Sequence, residues 1–203
     1  MAPLFATPPA PRRAALVRRT ALAAAALAAG AACNDPVSID AALDVQSASL
    51  VLAALTGTAP NTRSALQLRT APVAVAPEAT SGDFHVALDI NAAGRVVVYP
   101  AALVSAVSAR RVAIRRIDAA YDSVTRAPTG GYLADSALTI GPGDVVGVQL
   151  SGVGGECIYT SRPYFYSKLV VDSVRTADRA IFVRATTDPN CGFRSFAPGR
   201  PDD

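Results

Sequence analysis

Two long β-type runs near the C-terminus, residues 164–174 and 179–187, constrain the fold of this chain more than any other stretch. They are rich in Val, Ile, Tyr, Phe and Thr, side chains that suit a pleated, half-buried surface. Arg175-Thr176-Ala177-Asp178 joins them, so the pair reads as a long hairpin. The upstream chain supplies partners for it. From Asp83, Phe84, Val86, Leu88 and Ile90 alternate with His85, Ala87 and Asp89, the period-2 mark of a strand with one face buried. Asn91-Ala92-Ala93-Gly94 turns that strand into 95–99, which Pro100 ends. Further strands are expected over 111–117, 133–140 and 145–150, with Gly141-Pro142-Gly143-Asp144 as a tight turn between the last two. Pro72 and Pro77 restrict any strand at 65–70 or 73–76 to a sheet edge. About seven such runs with turn residues between them predict an antiparallel β-sandwich or barrel over 58–203.

One segment reads differently. Residues 39–55 carry Ile39, Leu43, Leu50 and Ala54 on one helical stripe. Ser38 is placed to cap the first turn, Asp40 suits its electrostatics, and Gly57, Pro60 and Asn61 end it. An N-terminal helix within 39–57 is therefore expected.

The start of the chain speaks about address. Arg12, Arg13, Arg18 and Arg19 precede an uncharged run, 20–32, that closes on small residues and Cys33. This is the layout of an export signal, with 1–32 as the cleaved segment. The run is shorter than the ~20 residues that cross a bilayer as a helix. The formal charge of +3 belongs largely to this segment. Removing it takes away four of the 19 basic residues and none of the 16 acidic ones, leaving 15 − 16 = −1. A near-neutral remainder argues against nucleic acid as a partner.

Gly30-Ala31-Ala32-Cys33 resembles the lipobox of bacterial lipoproteins, in which an aliphatic and two small residues precede the cysteine that is acylated. Ala31, Ala32 and Cys33 match, and Gly30 stands where that family usually has Leu. The resemblance implies that Cys33 becomes the first mature residue and anchors the protein to a membrane, with 33–38 as its tether. Cleavage after Ala31 or Ala32 to release a secreted protein is the alternative. Val17-Arg18-Arg19-Thr20-Ala21-Leu22 also looks like a twin-arginine signal. With Cys33 at the boundary, Cys157 and Cys191 remain to pair as a disulfide in an oxidising compartment, clamping the open end of the last hairpin.

Candidate chemistry is sparse. His85 is the only histidine, and strand alternation turns it away from Phe84, Val86 and Leu88, toward solvent. No G-x-S-x-G elbow accompanies it, carboxylates occur singly, and Gly152-Val153-Gly154-Gly155 lacks the G-K-[ST] of a phosphate loop. Neither a catalytic set, a metal site nor a cofactor is expected. Tyr159, Tyr164, Phe165 and Tyr166 form the one suggestive cluster, with Tyr164 and Tyr166 sharing a strand face on which a sugar or planar ligand could stack.

Tyr166-Ser167-Lys168-Leu169 and the strand beyond it, with Ile181-Phe182-Val183-Arg184, resemble the final hairpin of HmuY-like haem-binding lipoproteins. That family grips haem with a pair of histidines, whereas this chain has one, on another segment. The expectation is an exported, lipid-anchored envelope protein with a non-enzymatic binding or scaffolding role. A small-ligand (glycan or haem-like) binding lipoprotein is the alternative, and a secreted hydrolase ranks last.

Overall fold

The computed structural model describes residues 40–80, 83–106, 111–153, 155–158 and 160–201. The export segment, the Cys33 anchor and tether, and Tyr159 lie outside the described residues. The strands are β1 (Gln46–Ala53), β2 (Ala65–Gln67), β3 (Val73–Val75), β4 (Val86–Ile90), β5 (Val96–Pro100), β6 (Val112–Ile117), β7 (Leu138–Ile140), β8 (Val145–Ser151), β9 (Tyr164–Arg175) and β10 (Ala180–Asp188). They form two five-stranded antiparallel sheets, β1-β10-β9-β8-β6 and β3-β2-β4-β5-β7. The fold is sandwich-like rather than a closed barrel.

One apolar layer joins the sheets. Leu66, Val86, Leu88 and Val98 from the second sheet pack with Val148, Leu150, Phe165, Leu169 and Val183 from the first, all at or near zero exposure. These residues recur at every second position along their strands, because successive side chains point to opposite sheet faces. Burial of this layer is the main source of stability, at roughly 25 cal/mol per Å² of apolar surface removed from water. The hairpin β9–β10 is the spine, pairing from Ala180↔Arg175 to Asp188↔Tyr166 with one register shift at Phe182/Val183.

The expected helix is corrected over Gln46–Ala53, which forms strand β1, and residues 40–45 are non-helical too. The segment pairs along its whole length with β10, from Gln46↔Thr187 to Ala53↔Ala180. Leu50 and Leu52 alternate toward the core while Ser49 and Val51 face outward. Leu43, expected on the apolar stripe, is 49% exposed. The alanines and leucines favour a helix locally by only a few tenths of a kcal/mol each. A free edge of β10 offers a full ladder of hydrogen bonds and a core to bury Leu52, and that outweighs them.

Two further adjustments concern the strands. Both 65–67 and 73–75 are strands, and β3 is a sheet edge as expected, but β2 is corrected from an edge to an interior strand between β3 and β4, because it ends at Gln67, well before Pro72, and no proline interrupts its ladder. The run expected over 133–140 narrows to Leu138–Ile140, with Leu133 making an isolated bridge to Ile114.

Candidate functional site

Strand β9 carries two unlike faces. Phe165, Leu169 and Val171 enter the main core, whereas Tyr164, Tyr166, Lys168 and Val170 point to the other side of the sheet. On that outer face Ser151 lies beside Tyr164, Gln149 beside Tyr166 and Gly147 beside Lys168. Two irregular segments cover part of it. Ala127 N–H donates to Arg194 O at 2.7 Å and Phe196 N–H donates to Thr125 O at 2.7 Å, tying the segment after β6 to the C-terminal tail. Tyr121, Val124, Ala127 and Phe196 from these segments bury Val145, Tyr166 and Val170 in a second small core.

The tyrosines predicted to bind a ligand therefore divide. Tyr166 is 2% exposed, a member of this small core, and its hydroxyl accepts from Gln149 Nε2 at 3.3 Å. Tyr164 is half-buried, its ring edge-on to Tyr166 at 6.4 Å between centroids. Tyr132 joins them from the preceding loop, 6.2 Å from Tyr166. It lies flat on the sheet because residue 147 is glycine: a Cβ there would meet the Tyr132 hydroxyl at 3.3 Å and Ile117 at 3.1 Å. Nothing in the local sequence of Tyr132 marked it for this place.

Arginines flank the tyrosines. The Arg115 guanidinium stands 5.9 Å from the Tyr132 ring centre, and its donors go to the carbonyls of Gly130 and Arg116. Arg194 donates to the Ala127 carbonyl. The Arg162 side chain is exposed beside the same tail. Elsewhere in the domain arginines face carboxylates: Arg69 with Glu156, Arg116 with Asp144, Arg175 with Asp178, Arg179 with Asp89, Arg184 with Asp172. Burial pushes the Arg194 guanidinium below its ordinary range, and Arg126 and Arg162 push it in the same direction by like-charge repulsion. Burial likewise raises the Tyr132 hydroxyl, with Tyr166 reinforcing the shift and Arg115 and Arg194 opposing it.

The Cys157–Cys191 disulfide is formed, with Cα atoms 5.4 Å apart, as expected from the sequence. It brings the segment before β9 against the segment after β10. Gly192 completes the approach: at φ +85° its Cβ position lies 2.6 Å from Thr160 Oγ1 and 3.4 Å from the Arg162 carbonyl, so only glycine fits. The junction sets the Arg162 backbone against Gly192, two residues before Arg194.

Lys168, the one lysine of the chain, is 5% exposed. Its ammonium donates to the carbonyls of Tyr121 and Val124 at 2.7 and 2.8 Å and sits 4.2 Å from the Tyr121 ring centre. It pins the covering segment to the sheet. The Tyr121 hydroxyl and Thr186 Oγ1 are hydrogen-bonded at 2.7 Å beside it.

His85 is corrected from a solvent-facing position to a buried one, at 1% exposure. A bend at residue 85 interrupts the alternation before β4. Phe84 consequently packs with Ala65, Ala87 and Ala101, apart from Val86 and Leu88. The Leu68 amide donates to His85 Nδ1 at 2.6 Å, so the imidazole braces the chain after β2. It belongs to the opposite sheet from the tyrosines.

The chain was compared with protein-family models, curated proteins and solved structures, and none of them matches it.

Tyr132 gives a direct test of this packing. Its hydroxyl is buried with no hydrogen-bond partner among the described residues. An unpaired buried hydroxyl costs about 1–3 kcal/mol. Tyr132→Phe is expected to raise the unfolding free energy by about 1 kcal/mol in urea titration. A loss of stability would place a partner on that oxygen.

Proposed function

We propose that this chain is an exported envelope protein, anchored to a membrane through acylated Cys33, with a binding or scaffolding role and no enzymatic activity. The observation that carries the reading is the Cys157–Cys191 bridge. Such bridges persist in oxidising compartments outside the cytosol. That agrees with the arginine-led segment ending at Cys33, which would supply the route out and the anchor. With both distal cysteines occupied, Cys33 is left for acylation.

A second reading, a small-ligand binding lipoprotein, draws on one observation: half-buried Tyr164 sits on a face flanked by arginines that bond only carbonyls or stand exposed. Among the two ligand classes expected from the sequence, this favours a glycan over a haem-like group. His85 is in the other sheet and its Nδ1 is already engaged.

Intact mass of the protein released from the membranes of its own host tests the anchor. The expected mass is that of Cys33 to Asp203 plus acyl chains, lighter by the two hydrogens of the bridge. An unmodified chain beginning at Ala32 or Cys33 in the soluble fraction would sink the anchor and leave a secreted binding protein.

A further inference from the structure

Several segments meet beside the entry to β1 and line a groove of about 420 Å³. The chain before β1 supplies Leu43 and Asp44, and β1 itself supplies Gln46. Thr70 comes from the turn between β2 and β3, Pro189 follows β10, and Arg200 comes from the C-terminal tail. The volume is that of a small-molecule site. Backbone bonds hold the walls in place. The Asn190 side chain accepts from the amides of Ala42 and Leu43 at 2.8 and 2.9 Å and donates to the Leu43 carbonyl at 2.7 Å. Fully buried Asp188 holds Asn190 in turn, accepting from its backbone and side-chain nitrogens, both at 2.9 Å. The Val45 amide donates to the Gly199 carbonyl at 2.9 Å, which sets the residue before Arg200 against the chain entering β1. Arg69 Nη1 donates to the Pro189 carbonyl at 3.2 Å. Walls fixed in this way leave little ordering to be done when a ligand enters.

Opposite charges stand on the same groove. Arg200 and Asp44 both line it, both are exposed, and neither side chain makes an ion pair or hydrogen bond with a described residue. They do not bond each other, so the groove carries a cation and an anion with room between them. A simple anion would gain from Arg200 and be repelled by Asp44, and a simple cation the reverse. A molecule with one charge of each sign satisfies both walls at once. The planar guanidinium fork matches a carboxylate, and an ammonium brings three donors for the Asp44 carboxylate and the Thr70 hydroxyl. Leu43, 49% exposed, offers apolar surface that a hydrocarbon side chain would cover.

We propose that this groove binds a small zwitterion of the α-amino acid class, with its carboxylate on Arg200, its ammonium on Asp44 and an apolar side chain against Leu43. The zwitterion is either a free amino acid or a short peptide, and the charges recognised are the same for both. The groove shares no lining residue with the Tyr164 face, so the inference goes beyond the glycan reading and does not depend on the anchor.

Calorimetric titration of the mature protein with leucine and with leucyl-leucine tests the proposal. Isocaproate and isoamylamine are the analogues that keep the apolar group and only one charge. At least one zwitterion is expected to saturate a single site, the tighter of the two assigning the source, and each analogue should bind about fivefold more weakly. Arg200→Gln and Asp44→Asn should each weaken the zwitterion about fivefold, the worth of one ion pair partly screened by water. Arg200→Gln should also erase its advantage over isoamylamine, and Asp44→Asn its advantage over isocaproate. Arg175→Gln is the control, since its guanidinium pairs with Asp178 at the far end of the β9–β10 hairpin, and it should leave binding unchanged. Thermal unfolding of each variant establishes that it is folded. No heat from either zwitterion, equal binding of the singly charged analogues, or undiminished binding by both variants overturns the proposal. Those failures would leave an acylated Cys33 mass untouched, whereas a soluble, unacylated protein that still binds the zwitterion would sink the anchor alone.

Discussion

Replacing Cys157 and Cys191 together by serine is expected to lower the unfolding free energy by about 4 kcal/mol, the loop-closure value for a bridge spanning 34 residues. For a domain of this size that corresponds to a fall in Tm of about 10 °C. The bridge closes the loop that contains the whole β9–β10 hairpin, so the open chain regains the freedom of both hairpin ends at once. The effect should exceed that of a surface change, which stays within about 0.5 kcal/mol. A second consequence is local. Without the bridge, the close approach of Gly192 to Thr160 and the hydrogen bond from its amide to the Tyr164 carbonyl lose their covalent support. Differential scanning calorimetry of the oxidised protein, the reduced protein and the double serine variant measures the first effect. Equal Tm in all three would mean that the two cysteines do not bridge in the folded protein.

Lys168→Met is the substitution with the next largest expected effect. Methionine keeps the unbranched stem and removes the ammonium, so the carbonyls of Tyr121 and Val124 lose their donor inside the small outer core. The Val124 carbonyl loses its ammonium donor, the Tyr121 carbonyl keeps only the Val124 amide at 3.3 Å, and the cation–π contact to Tyr121 is lost, together costing about 2 kcal/mol. The covering segment should loosen before the sheets do, which near-ultraviolet dichroism of Tyr121 and Tyr166 reports. An unchanged urea midpoint would refute the role given to Lys168.

The same lysine sets a pH dependence. Burial holds its ammonium below the ordinary value of 10.5, with Arg184 acting in the same direction and Asp122 opposing. The folded protein therefore releases this proton at a lower pH than the unfolded chain does. Between the two values the unfolded state binds more protons, so stability rises with pH. Relative to Lys168→Met, the unaltered protein should gain stability as pH climbs from the lowered value toward 10.5, and the difference should level off above it. A difference that falls over this range would contradict the burial of the charge.

The β-class, the hairpin β9–β10, the hairpin β4–β5, the edge position of β3 and the Cys157–Cys191 pair were all legible in the chain. Each depends on local alternation, on turn residues or on cysteine arithmetic, and these act over a few positions. The segment Gln46–Ala53 was misread for a physical reason. An alanine- and leucine-rich run has a weak helical preference of its own, and what decided its structure was a vacant sheet edge supplied by β10, more than 120 residues later. His85 was misread because one bend shifts the strand phase, and strand patterning has no term for a bend.

The outer face was only half visible. Tyr164 and Tyr166 could be placed on one side of a strand from their spacing, but spacing does not say whether that side meets water. The segments around Tyr121 and Phe196 decided it, burying Tyr166 and leaving Tyr164 partly open. Arg115, Tyr132, Arg162 and Arg194 come from four separate segments and carry no motif.

The amino-acid sequence by itself determined the two clearest hairpins, β4–β5 and β9–β10, the turns within them and the cysteines that close the last one, because those depend on the chain's own covalent geometry and short-range alternation. Only the tertiary structure decided which strands became neighbours and which face was covered. Those follow from surfaces that do not exist until distant segments have packed.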